Sequence, residues 1–323
     1  MPSHGQLTVL ITGCSPGGMG AALAQAFHAA GHLVYATARN PSSLSSLALQ
    51  GIKTLSLDIT SAASIGSAVE TLTENLSTRP SSPHAAVSEG IDILINNAGG
   101  HYTAPISDAS IDSAKTLFDL NVWAQLAVTQ AFLPLLMKSA SSTSSRTANG
   151  PATPMIVNHT SVGSVSAMPF QSLYSASKAA FARLSDGMRL ELAPFGIHVV
   201  ELKTAMVRTN FIRNSNTNNV EGKRLQLPEG SLYEPAREVV EDIMSQAQFD
   251  GRGMTAENWA KAVVGDLMKR NPPVFIWRGD TALWARLASM MPCSIMDSIL
   301  KKMMRLDIVE EIIKSEMKSS GRH

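Results

Sequence analysis

Tyr174-Ser175-Ala176-Ser177-Lys178 puts a phenol and an ammonium four positions apart. In a helix that spacing sets both on one face, one turn apart. An ammonium beside a phenol favours the phenolate and draws a pKa of about 10 towards working pH. A tyrosine so tuned can hand a proton to a carbonyl oxygen that receives hydride, or take one back in the reverse direction. The pattern alone is weak, because chance produces it in many helices, but its company raises it. Ser161, thirteen residues upstream, follows an apolar strand pattern and is placed to hydrogen-bond a substrate oxygen. Asn121 lies inside a long apolar helical stretch, where an amide needs partners. Asn96-Asn97-Ala98-Gly99 closes another strand pattern, at the end where open α/β sheets bind ligands.

A second cluster lies near the N-terminus. Thr12-Gly13-Cys14-Ser15-Pro16-Gly17-Gly18-Met19-Gly20 follows the first strand pattern and opens the first helical one. Glycines there allow a tight turn and let backbone N–H groups approach a pyrophosphate, whose charge the helix N-terminus stabilises. An NAD site usually carries an acidic residue at the end of the second strand. Here that turn reads Thr37-Ala38-Arg39-Asn40, with one guanidinium and no carboxylate. Arginine suits a 2′-phosphate, because its planar fork makes charge-assisted bonds to phosphate oxygens. The expected cofactor is therefore NADP(H), although an arginine at a strand end is also a common solvated residue.

Seven short apolar runs position these groups: Leu7–Thr12, His32–Thr37, Ile52–Leu57, Ile91–Ile95, Met155–Asn158, Ile197–Leu202 and Val274–Trp277. Helical patterns alternate with them at Gly20–Ala30, Ser61–Leu76, Ile111–Lys138 and Phe170–Ala193. Continuous apolar strands interleaved with helices predict an α/β fold, a Rossmann-type doubly wound parallel sheet covered on both faces. Ser77–Glu89 and Ser139–Pro154 have loop composition and read as surface insertions. Residues 1–278 form one catalytic unit with a substrate loop at 205–235, and residues 279–323 a helical C-terminal extension packed on it.

The chain has 323 residues, 27 basic and 26 acidic, for a formal net charge of +1. That balance excludes a nucleic-acid binder, which needs a clustered basic surface. An apolar content of 44% excludes disorder. Charged residues make up 16%, against about 25% in a typical domain. The chain thus buries an unusual share of its surface or shows apolar surface to a partner. Two cysteines, Cys14 and Cys293, rule out a disulfide scaffold and fit a reducing compartment. The polar start, Met1 to Gln6, predicts no secretory leader, and no apolar run of about 20 residues predicts a membrane span.

The TGxxxGxG-like turn, the NNAG segment, the serine and the Tyr–x–x–x–Lys pair stand in the order of the short-chain dehydrogenase/reductase family, which the chain resembles from about Leu7 to Phe211. The resemblance implies a catalytic tetrad of Ser161, Tyr174, Lys178 and Asn121. Tyr174 would be the acid/base, Ser161 would position the carbonyl, Lys178 would also hold the nicotinamide ribose, and Asn121 would support a proton-relaying water. It implies cofactor contacts from Gly13, Ser15, Gly18, Gly20, Arg39, Asp58, Ile59, Asn97, Val207 and Thr209, and asks for no metal. It also implies a small-molecule carbonyl substrate and a homo-oligomer.

Two departures stand out: the glycine turn has one extra residue, and Thr204-Ala205 replaces the Pro-Gly expected after the sixth strand. His159 takes a position usually apolar or small, as a packed histidine or a second polar group at the site. Within the family the chain is similar to a fungal branch named for NADPH-dependent 1-acyldihydroxyacetone-phosphate reductase, which also holds reductases of secondary metabolism.

The tail, Thr281 to Ile313, carries Leu283, Trp284, Leu287, Met290, Met291, Ile295, Met296, Ile299, Leu300, Met303 and Met304 at helical spacing. First among its readings is a helical pair packed on the core or on an oligomer mate. A lid over an apolar substrate and an interfacial anchor are the others. The expected location is cytoplasmic, with peripheral contact to the endoplasmic reticulum or a lipid droplet as the variant the anchor would bring. The expected function is NADPH-dependent carbonyl reduction. Oxidation of a lipid or steroid-like alcohol and a non-catalytic cofactor-binding scaffold are the alternatives, and the complete tetrad speaks against the scaffold.

Overall fold

In a computed structural model, residues 6–79, 90–141, 150–166, 168–211, 226–249, 251–319 and 321 can be described. Successive side chains of a strand point to opposite faces, and here both faces are apolar. In β1 (Thr8–Ile11), Val9 and Ile11 enter one buried cluster and Leu10 the other. β4 (Ile93–Asn96) repeats the pattern with Ile93 and Ile95 against Leu94, and β5 (Met155–Ser161) with Met155 and Val157 against Ile156. Strands buried on both sides must be covered on both sides, which is the doubly wound arrangement.

Seven parallel strands form the main sheet in the order β3-β2-β1-β4-β5-β6-β9. The others are β2 (Leu33–Ala38), β3 (Lys53–Ser56), β6 (His198–Thr204) and β9 (Phe275–Arg278). β7 (Val207–Arg208) and β8 (Met254–Thr255) pair separately. The chain order reverses between β1 and β4, and ligands of such sheets bind at the carboxyl ends of the strands beside that reversal.

One face is covered by α1 (Met19–Ala29) and α8 (Ala256–Leu267), whose Trp259 is fully buried. The other is covered by α3 (Ala62–Ser77), α5 (Ala124–Ser141) and α6 (Ser172–Glu191). The short α2 (Ser45–Leu49) precedes β3. α4 (Ile111–Phe118) runs through a single π-helical turn, Asp119–Trp123, into α5. Such bulges are frequent at functional sites.

The sequence predicts no membrane span, yet Ile111–Ser141 is long and apolar enough by length and composition to qualify. Its apolar side is spent on the core, where Val128, Phe132, Leu135 and Leu136 are buried.

A third cluster joins α7 (Arg237–Ser245) to the C-terminal extension. Met304 and Val309 bury with Phe170, Leu227, Val240 and Ile243. Val309 belongs to α11 (Leu306–Ser319), and Arg305 binds Asp242 at 2.7 Å. The predicted apolar spacing is therefore helical, but its burial falls on the last part. Leu283, Trp284, Leu287, Met290, Met291, Ile295, Ile299 and Met303, carried by α9 (Ala282–Ala288), α10 (Cys293–Met303) and the turn between, are exposed. Residues 80–89 and 142–149 of the two predicted insertions, and 212–225 of the substrate loop with Arg213, Lys223 and Arg224, lie outside the described residues.

Candidate active site

The glycine turn is built around close approaches. Gly13 has φ of +72°, and a Cβ there would stand 2.7 Å from the Ala98 Cα. Gly20, in the first turn of α1, would meet the Asn97 Nδ2 and the Gly13 carbonyl oxygen, each at 2.5 Å. Gly17 also has a positive φ, +71°, and packs against Asn210, so the extra residue of the turn is itself a required glycine. The sequence assigns the turn to Gly13, Gly18 and Gly20 and misses this one.

Gly18 is the N-cap of α1, with no capping side chain and no acidic residue in the first turn. Its helix therefore keeps first-turn N–H groups and the positive end of its dipole for an anion. Ser15 lies exposed in the turn and accepts from the Gly18 N–H at 3.1 Å. Arg39 is exposed immediately after β2, and the Asp58 carboxyl sits below its ordinary pKa, chiefly through hydrogen bonds from Thr60, with the Arg39 charge adding to the effect. Ile59 is buried beside it. An uncapped helix end, a glycine turn and a cation past β2 fit the diphosphate and 2′-phosphate of the expected cofactor.

α6 presents half-buried Tyr174 and buried Lys178 on one face, as the spacing predicts. Burial dominates and raises the Tyr174 pKa above its ordinary value, with a Ser161 hydrogen bond working against the rise. Desolvation likewise disfavours the charged lysine and lowers the Lys178 pKa to about 8. Its ammonium donates to the His159 carbonyl oxygen at 3.0 Å. Ser161, the last residue of β5, holds the following turn by accepting from the Gly163 N–H at 3.0 Å.

Asn121 sits in the π-helical turn and is buried. Its Oδ1 accepts from the Gly100 N–H at 2.8 Å, while its Nδ2 donates to the Gly100 carbonyl and the Ser177 hydroxyl at 3.0 Å each. The amide thus clamps the loop after β4 to α6. Val207, in β7, and Thr209, whose hydroxyl accepts from the Phe211 N–H at 3.3 Å, follow β6 as the family pattern predicts.

Asn97 and His159 form the hinge of the site. The Asn97 Nδ2 donates to the carbonyls of Thr12 and Gly13, at 2.7 and 3.0 Å. Its Oδ1 therefore faces the His159 Nδ1, at 2.9 Å, and that nitrogen carries the ring proton. The His159 Nε2 then accepts from the Thr204 hydroxyl at 2.7 Å. The ring stacks on Trp259, with centroids 5.3 Å apart, and burial with the Lys178 charge lowers its pKa to about 3. Of the two readings of His159, the packed neutral histidine is correct. It also accounts for Thr204: the hydroxyl that replaces the expected proline is that histidine's partner.

The family model for short chain dehydrogenases matches residues 7–220. The chain is a short-chain dehydrogenase/reductase. Members of this family are NAD(P)-dependent oxidoreductases acting on small molecules. Among its relatives is a short-chain dehydrogenase/reductase of Pestalotiopsis microspora, 46% identical over 307 residues, covering 95% of this chain and 97% of that protein. Another, the NADPH-dependent 1-acyldihydroxyacetone phosphate reductase of Schizosaccharomyces pombe, is 29% identical over 308 residues, covering 92% and 94%. A short-chain dehydrogenase of Streptomyces avermitilis shares the fold, with a TM-score of 0.68, 24% identity and coverage of 96% and 98%. Relative to that short-chain dehydrogenase frame, sequence reasoning passes over His101, whose ring lies beside Tyr174, and Gln171 and Gln246, which meet that ring. The signal was only the histidine that follows Asn96-Asn97-Ala98-Gly99-Gly100.

Proposed function

We propose that this short-chain dehydrogenase/reductase is an NADPH-dependent reductase of ketones on apolar substrates. The observation that carries the reading is the convergence of Ser161, Tyr174 and Lys178: the Ser161 side chain bonds the Tyr174 hydroxyl, and a phenol is protonated at neutral pH and ready to donate. Ser161 and Tyr174 hold the carbonyl oxygen; a nicotinamide cofactor, when bound, would supply the hydride chemistry at the adjoining carbon. As charge develops on that oxygen, Tyr174 gives up its proton to it and the ketone becomes an alcohol. Lys178, fixed by the His159 carbonyl, keeps a positive charge beside the phenol and stabilises the phenolate left behind. Asn121 holds the loop that walls the site.

The choice of NADPH rests on Arg39 in a turn without a carboxylate, and the S. pombe relative, named as NADPH-dependent, supports it. Phe211, with its ring 6.4 Å from that of Tyr174, supports an apolar substrate. The apolar residues that α9 and α10 expose support the expected homo-oligomer. The test is NADPH consumption with a panel of ketones by the wild type and Tyr174→Phe. Turnover that falls by about 10²–10⁴-fold in the variant, with NADPH still bound, is expected for a lost general acid. Full turnover by the variant would end this mechanism.

A further inference from the structure

Facing Tyr174 is a second polar group that the proton transfer does not use. The His101 ring lies with its centroid 4.6 Å from that of Tyr174, tilted by 51°, and 6.0 Å from Phe211. Three side chains surround its nitrogens. The Thr103 hydroxyl is 3.2 Å from Nδ1, the Gln171 Oε1 is 3.1 Å from Nε2, and the Gln246 Nε2 is 3.4 Å from that same nitrogen.

One ring nitrogen thus meets both an acceptor and a donor, and it can serve only one at a time. As a donor it satisfies Gln171 and leaves the Gln246 amide over. In the other tautomer it accepts from Gln246 and leaves the Gln171 oxygen over. The threonine hydroxyl accommodates either state, because it can donate or accept. A group that both donates and accepts would complete the set, and a hydroxyl or enol is such a group.

The brace is strained. Gln246 has φ of +57° and Phe170, immediately before Gln171, has φ of +63°, in the region that side chains rarely adopt. Strain of this kind persists where the surroundings over-determine it, commonly at ligand sites. The loop that carries His101 is fixed by the two bonds between Asn121 and Gly100. Burial and the nearby Lys178 charge lower the His101 pKa, so the ring is neutral at working pH and suits an uncharged oxygen better than an anion.

We propose that His101, braced by Gln171 and Gln246, is a specificity-determining residue that selects ketones carrying a second, uncharged hydroxyl or enol oxygen close to the reacting carbonyl. The proposal deepens the reductase reading and rests on it.

The experiment compares kcat/KM for NADPH-dependent reduction of 3-hydroxy-1-tetralone and of 1-tetralone by the wild type, His101→Phe and Gln246→Leu. The wild type should prefer the hydroxyketone by about tenfold or more, as for one well-placed hydrogen bond. His101→Phe should erase that preference by losing rate on the hydroxyketone alone, and Gln246→Leu should weaken it in part. A loss shared equally by both ketones, a preference untouched by His101→Phe, or no wild-type preference would overturn the proposal. Should the wild type reduce neither ketone, the reductase reading is decided separately by the wider ketone panel. Calorimetric titration of the NADP+-saturated protein with 3-hydroxy-1-tetralone then decides the site. Binding weakened by His101→Phe sustains it, and equal binding or none in the wild type defeats it.

Discussion

Replacing His159 by phenylalanine keeps a ring to stack on Trp259 and removes both ring nitrogens. The Thr204 hydroxyl and the Asn97 Oδ1, both inside the site, then lose their partner. Thr204 is buried, so its unpaired hydroxyl costs about 1–3 kcal/mol, while half-buried Asn97 loses the about 0.5–1.5 kcal/mol of one ordinary hydrogen bond; the variant should be about 1.5–4.5 kcal/mol less stable at pH 7.

The pH dependence gives a second, independent magnitude. Buried His159 has its pKa lowered to about 3, chiefly by desolvation, while in the unfolded chain it takes up a proton near pH 6.5. The unfolded state therefore binds a proton that the folded state refuses. Stability falls as pH drops from about 6.5 towards about 3, and is fully present above that window. Between pH 7 and pH 5 this one residue withdraws about 2 kcal/mol, at about 1.4 kcal/mol for each unit below 6.5. His101 and His198, whose pKa values burial also lowers, act in the same direction but remain in both proteins and cancel in the comparison.

Urea unfolding of the wild type and His159→Phe at pH 7 and pH 5, followed by tryptophan fluorescence and circular dichroism, measures both. The gap should be largest at pH 7 and narrow by about 2 kcal/mol at pH 5. A gap under 1 kcal/mol at pH 7, or one that stays constant with pH, would refute the assignment of a neutral, doubly bonded histidine. Because Asn97 also grips the glycine turn through the Thr12 and Gly13 carbonyls, NADPH affinity should fall in the same variant.

Two further outcomes follow from the cofactor and proton-transfer groups. Arg39→Ala should raise the Kd for NADPH about 10–100-fold, the worth of a lost charge-assisted bond, and leave NADH binding unchanged; fluorescence titration with both nucleotides measures it. With the Lys178 pKa near 8, reductive kcat/KM should fall as pH rises through about 8, because the ammonium is lost there. A Lys178→Met variant should show the low rate throughout and no such limb. A wild-type profile flat to pH 9.5 would contradict the lysine's part in the reaction.

The frame of the molecule was legible because its signals are local. Strand β1 announces itself by three consecutive apolar residues, Val9 to Ile11, and the helix after it by the glycines that a tight turn requires. Tyr174 and Lys178 could be paired from sequence because helical geometry fixes their relation over a single turn. Their electrostatics could not, because the sign of the Tyr174 shift depends on how much surrounding protein removes water, and periodicity does not report that. The alternation of α4, a π-helical turn and α5 also escaped, since a continuous apolar period hides one extra residue. Yet that residue turns Asn121 inward to the Gly100 backbone.

The hinge at His159 shows a different limit. Asn97 and Thr204 lie 62 and 45 residues from it along the chain, and sheet register alone brings them together. β4 pairs with β5 so that Asn96 stands opposite Asn158, and β5 pairs with β6 so that His159 stands opposite Leu202. One step on, Asn97 follows Asn96 beside His159, while Thr204, two residues past Leu202, shares the face of Leu202 and reaches the ring diagonally. A one-residue slip in either pairing would send these side chains to the other face. The histidine and the threonine each look like an unexplained departure when read alone. Together they are one substitution: a buried imidazole that needs an acceptor and a donor, supplied by Asn97 on one side and by Thr204 on the other. Joined in this way, the glycine turn, the loop after β4 and the end of β6 are tied together by side-chain hydrogen bonds. A site that must bring several reacting groups into line gains more from such bracing than from any single contact.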